Sequence, residues 1–203
     1  MNKVLQFKIS LVDTMPEVWR RIQILENSTF WDLHVAIQCS MGWKDCHLHR
    51  FIVYDGNLNN KKTKQPIFLG IPDEENEMIG GNIIIAGWEV KLTDYLFNNK
   101  TFGYEYDFGD NWEHYIEFEA IYEQSSDIKK YPICLAGENA CPPEDVGGIG
   151  GFYDYVEVIT DKNHPDYEDA LAWNGKYNPT KFDLKKVKFL DSKRRLNQFL
   201  KEI

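Results

Sequence analysis

Residues 104–114 read Tyr-Glu-Tyr-Asp-Phe-Gly-Asp-Asn-Trp-Glu-His, and this stretch decides the fold class. Phe102, Tyr104, Tyr106 and Phe108 recur at every second position, and Trp112, His114, Ile116 and Phe118 resume that period after Gly109-Asp110-Asn111. Two alternating arms joined by a Gly-Asp-Asn turn form the signature of a β-hairpin. The apolar set on both arms is aromatic and falls on one face, while Asp107, Asp110 and Glu113 crowd the tip or the opposite face. Such a face needs a large partner surface.

Working outward, Val4 to Val12 alternates Leu5, Phe7, Ile9 and Leu11 with polar residues, and Trp19, Ile22 and Ile24 follow after Pro16. An antiparallel pair is expected there. Ser28 or Thr29 caps a helix in which Phe30, Leu33, Ile37 and Met41 fall near helical spacing, and Gly42 ends it. Strands are expected at His47 to Tyr54, Ile67 to Leu69, Ile83 to Ile85 and Trp88 to Leu92. Cys134 to Gly151, rich in Gly and carrying Pro142-Pro143, reads as a long ordered loop. Helices follow at Phe152 to Asp161, Pro165 to Trp173 and Asp183 to Leu200, the last with a break near Ser192. Strand, strand, helix, strand is the opening order of a ubiquitin-like β-grasp. The expected fold is therefore α+β, a β-grasp mixed sheet with the aromatic hairpin as two strands and C-terminal helices packed on it. Residues 1–203 are read as a single domain, 1–122 mainly sheet plus one helix and 131–203 an ordered loop and helices.

Composition narrows the functional classes. The 14% aromatic content, from six Trp, eleven Tyr and twelve Phe, is high for a soluble domain and points to an aromatic core or groove. No apolar run reaches membrane-spanning length, and Met1 to Leu11 alternates instead of forming a signal peptide, so a cytoplasmic protein is expected. Cys39, Cys46, Cys134 and Cys141 show no Cys-x-x-Cys spacing and are read as free thiols. A net charge of −9 opposes general nucleic-acid binding. The exception is a basic C-terminal group, with Lys193, Arg194 and Arg195 as its centre.

With the hairpin and Cys141-Pro142-Pro143-Glu144-Asp145-Val146-Gly147-Gly148 in view, the chain resembles the family named after the plasmid pRiA4b ORF-3 protein. The same resemblance runs through Trp19-Arg20-Arg21-Ile22, Met41-Gly42-Trp43, His47-Leu48-His49-Arg50-Phe51, Trp173 and Phe182-Asp183. Phe152 stands where the family is expected to have Tyr. Some members carry the label transposon resolvase, which implies a nucleophilic Ser or Tyr within an arginine cluster. Here Ser10 lies in a strand, Ser28 at a helix cap, and the chain holds five Arg in all, so resolvase chemistry is not expected.

The candidate site comprises Asp107, Asp110, Trp112 and His114 at the hairpin tip with Glu144 and Asp145 from the loop. Carboxylates beside an imidazole suit a divalent ion that activates water, whereas turn chemistry and core packing account for the same residues without one. Gly147, Gly148, Gly150 and Gly151 ahead of a helix could present N–H groups to an anion. His47 and His49, two apart, can share one strand face, and core packing is the preferred reading for both. No resident metal or cofactor is expected. The preferred function is a non-catalytic module whose aromatic groove binds a peptide, protein or small ligand. The alternatives are a metal-dependent hydrolase and a mobile-element nucleic-acid accessory factor.

Overall fold

The computed structural model describes residues 3–54, 66–72, 83–96 and 100–202. The loop readings for 57–65 and 73–77 lie outside the described residues. Alternation in the N-terminal half produces β1 (Lys3–Leu11) and β2 (Trp19–Leu25), with Leu5, Phe7, Ile9, Ile22 and Ile24 buried and the intervening residues on the other face. They pair antiparallel with Phe7 opposite Ile22.

The helix α1 (Phe30–Met41) starts and stops where its sequence marks it. Thr29 and Asp32 form a capping box, the Thr29 N–H donating to Asp32 Oδ2 at 2.8 Å and the Asp32 N–H to Thr29 Oγ1 at 3.2 Å. Gly42 closes the helix at φ 97°, a left-handed value that glycine adopts without a Cβ penalty. Phe30, Leu33 and Ile37 are fully buried against the sheet, as their spacing requires.

The sheet continues with β3 (His49–Tyr54), β4 (Pro66–Gly70), β5 (Ile84–Ala86), β6 (Thr101–Tyr106), β7 (Trp112–Glu123) and β8 (Ile133–Glu138). Their spatial order is β5-β4-β3-β6-β7-β1-β2-β8, and all neighbours run antiparallel except the parallel pair β4 and β5. The hairpin forms as read, with Tyr104 opposite His114 and Tyr106 opposite Trp112. Its aromatic face joins the core beneath α1: Phe102, Tyr104, Tyr106, Trp112 and Ile116 are all buried. It is therefore a packing surface and not an open groove. The opposite sheet face is polar, with Arg21 forking onto Glu119 at 2.7 Å and Arg50 paired with Glu105.

Three expectations are corrected. Trp88 to Leu92 is not a strand, because its backbone bonds go to the start of α1: Phe30 N–H to Val90 O and Leu92 N–H to Ser28 O. The region from Cys134 is not loop throughout. Ile133–Glu138 is β8 on the sheet edge, pairing with β2, and its Cys, Ala and Gly residues conceal the alternation. Third, the helix read from Asp183 does break near Ser192, but the part ahead of the break is only a 3₁₀ turn (Leu184–Lys186); α5 (Ser192–Glu202) follows, capped by Asp191, whose Oδ1 accepts the Arg194 N–H at 3.0 Å. A short α2 (Thr93–Leu96) precedes the hairpin, and α3 (Gly148–Thr160) and α4 (Tyr167–Asn174) complete a mixed α/β architecture of eight strands and five α-helices among the described residues. No helix there is long and apolar enough to cross a membrane.

Candidate functional site

At the hairpin tip, Asp107 and Asn111 take left-handed φ values of 57° and 55°, a conformation that short Asx side chains tolerate. Asp107 divides its two oxygens. Oδ1 accepts the N–H groups of Gly109 and Asp110 at 3.0 and 3.3 Å and so builds the turn. Oδ2 points away, to 3.5 Å from His47 Nε2.

The connection after α1 and the loop after β8 close on this tip. Trp43 packs its ring against Tyr106 and donates its indole N–H to Pro142 O at 3.0 Å, fixing the Pro-Pro segment. Glu144 accepts the Lys44 N–H at 2.7 Å and the Tyr106 hydroxyl at 3.1 Å. Burial, reinforced by the Glu144 carboxylate, holds the Tyr106 phenol well above its ordinary range, so it remains a donor. These contacts bring Glu144 Oε2 to 3.9 Å and Asp145 Oδ1 to 3.1 Å from His47 Nε2. Three carboxylates thus surround one imidazole nitrogen, which is itself buried and makes no hydrogen bond among the described residues. Among the described residues no Lys or Arg pairs with any of the three. The donor atoms of His47, Asp107 and Asp145 lie within 4.8 Å of one another, as do those of Cys46, His47 and Glu144.

The residues read from sequence divide accordingly. Asp107, Glu144 and Asp145 come together. Asp110 does not join them: its Oδ2 accepts the Gly147 N–H at 3.1 Å at the start of α3. A Cβ on Gly148 would lie 2.5 Å from Asp110 O, so this glycine allows backbone contact. The start of α3 therefore already holds a carboxylate of the protein, while Gly150 and Gly151 take no part in that contact.

His114 and Trp112 are corrections. Both are buried on the core face beside Trp43, and His114 directs Nδ1 at Trp112 O and Tyr104 O. Burial pushes the His114 pKa down to about 4. The period of two that put His114 near the tip also turned it inward. His47 takes its place, and the sequence reading missed it by pairing it with His49. The strand begins only at His49, whose ring stacks on His34 at 3.4 Å in the core. Asp45, at φ 57°, ends the preceding segment and frees His47 from the strand alternation; an Asp two residues ahead of a His is the signal that was available.

The basic C-terminal group is likewise split. Arg195 binds Asp45 through Nε at 2.7 Å, and Asp45 reaches His34 Nε2 at 2.8 Å. Although burial raises the Asp45 carboxyl, His34 and Arg195 hold it below its ordinary range. Lys193 and Arg194 are exposed.

The sequence pattern described as Plasmid pRiA4b ORF-3-like protein matches residues 3–186, nearly the whole chain. The chain belongs to the pRiA4b ORF-3-like family. Within it, the chain is 32% identical over 174 residues to "Uncharacterized protein y4hQ" of Sinorhizobium fredii, covering 85% of this chain and 81% of that protein. Among solved structures, the protein of unknown function MM3350 from Methanosarcina mazei Go1 is similar at 38% identity and a TM-score of 0.78. That similarity covers 93% of this chain and 99% of MM3350. The acidic cluster around His47 therefore sits in a pRiA4b ORF-3-like protein whose named relatives carry no stated activity.

Proposed function

We propose that this pRiA4b ORF-3-like protein is a ligand-binding module whose site is a divalent-cation centre formed by His47, Asp107 and Asp145, with Glu144 beside them. The observation that carries the reading is His47 Nε2, a buried nitrogen without a hydrogen bond among the described residues, facing three carboxylates. Carboxylates that close repel unless a proton or cation lies between them. One imidazole with carboxylate oxygens suits Mn²⁺ or Zn²⁺. Cys46 is the weaker donor, since burial and Glu144 raise its thiol pKa. Asp145 is 70% exposed, so a bound ion would keep a solvent-facing side, and water activation is the second reading.

The order β1, β2, α1, β3 supports a β-grasp-like scaffold, the continuous core supports a single domain, and four free thiols support a reducing, cytoplasmic setting. Calorimetric titration of EDTA-treated protein with Mn²⁺ and Zn²⁺ tests the centre. One saturable site is expected, weakened at least tenfold, on the order of 1.4 kcal/mol, in His47→Ala and in Asp107→Asn. Absence of binding, or binding unchanged in both variants, would reject the centre. Hydrolysis of an activated phosphodiester by metal-loaded protein, lost in His47→Ala, would favour the second reading.

A further inference from the structure

Arg20 is 1% exposed, and among the described residues it forms no ion pair. Its Nε donates to Ser40 O at 2.9 Å, and Nη1 donates to Trp19 O and Glu138 O at 2.7 and 2.9 Å. Those three bonds use every proton on Nε and Nη1. Nη2 meets no acceptor among the described residues, and Arg20 is one of the side chains that line an adjacent open space. That space is a groove of about 520 Å³, a small-molecule volume. The guanidinium carbon lies over the Phe182 ring, 3.9 Å from its centroid. A Cβ at Gly137 would fall 2.7 Å from Arg20 Cδ and 2.8 Å from Phe182, so glycine there keeps room for the stack.

The groove inverts the charge of the molecule. Lys176, Lys181 and Lys186 line it with Arg20, opposed by the single carboxylate of Asp183, on a chain of net charge −9. Among the described residues no carboxylate side chain pairs with Arg20. Burial holds the thiols of Cys134 and Cys141 and the phenol of Tyr177 above their ordinary ranges, so all three are neutral around pH 7. A buried cation held only by carbonyl dipoles is costly and gains most from an anion.

We propose that this groove binds a phosphorylated small molecule, its dianionic head on Arg20 Nη2 and the three lysines and its body along Met41, Tyr177 and Phe182. Four cations facing one carboxylate suit a dianion better than a lone carboxylate ligand. The groove shares Met41, Gly42, Cys141 and Tyr177 with the smaller cleft beside Glu144 and Asp145, but needs no metal.

The test is calorimetric titration of EDTA-treated protein, in a phosphate-free buffer, with inorganic phosphate and with AMP, adenosine serving as the uncharged control. Phosphate and AMP should saturate one shared site, and adenosine should bind at least tenfold more weakly than AMP. Lys181→Glu with Lys186→Glu, both at exposed positions, should weaken AMP at least tenfold without changing the melting temperature. Arg20→Met, where it folds, should remove binding. His47→Ala should leave AMP binding intact, which separates this site from the cation centre. The assignment fails if neither anion binds, if binding persists in the lysine double variant, or if His47→Ala abolishes it.

Discussion

His114 shows how burial sets the behaviour of one residue. Its pKa of about 4 lies below the ordinary His value because the core disfavours the imidazolium, despite acceptors at Trp112 O and Tyr104 O. The unfolded chain takes up this proton near pH 6.5 and the folded chain only near pH 4, so the stability His114 contributes is present above pH 6.5. It is lost as pH falls from 6.5 towards 4, by on the order of 3 kcal/mol. Urea unfolding at pH 7 and pH 4.5 should show this decline, and a folded His114→Phe variant should flatten it; an equal decline in both proteins would assign the effect elsewhere. At Asp110, the carboxylate faces the positive end of α3, so Asp110→Asn should lower the unfolding free energy by about 0.5 to 1 kcal/mol. A thermal shift of zero for that variant would leave the contact to the backbone alone. Residue types at both positions were legible in the sequence, but their partners were not, since Trp43, Lys44 and the 139–147 loop arrive from distant segments.

Elements carry the next level of argument. Helix α1 was readable from end to end because its cap, its spacing and its stop are local. Leu33 is fully buried in it, so Leu33→Ala should cost about 2 to 5 kcal/mol, measured by denaturant titration. A cost below about 1 kcal/mol would mean that the sheet beneath relaxes into the space. At the start of α3, Gly148 has φ 67° and a would-be Cβ 2.5 Å from Asp110 O. Gly148→Ala should therefore loosen the loop from the hairpin and lower the melting temperature, whereas Gly150→Ala, with open space around it, should not. Strand β8 escaped the sequence reading because an edge strand of small residues owes its conformation to pairing with β2 and not to its own alternation.

At the scale of the molecule, α5 closes the far side of α1. Phe199 packs on Trp31, the Trp31 indole donates to Ser192 O at 3.0 Å, and Arg195 neutralises Asp45. Truncation after Lys188 should cost about 2 to 4 kcal/mol, from lost aromatic burial and an Asp45 without its arginine, and should shift tryptophan emission to the red. Unchanged emission would show that α5 adds little cover. The sequence by itself determined the first three strands, the hairpin, the capped helix and the family, because these rest on periodicity, turn chemistry and spaced motifs within one stretch. Only the tertiary structure decided that His47 and not His114 meets the carboxylates, that Asp110 caps a helix, and that Arg20 borders a basic groove. Those outcomes depend on which segments meet across the sheet, and that is fixed by the packing of the whole core and by pairing between residues far apart in the chain.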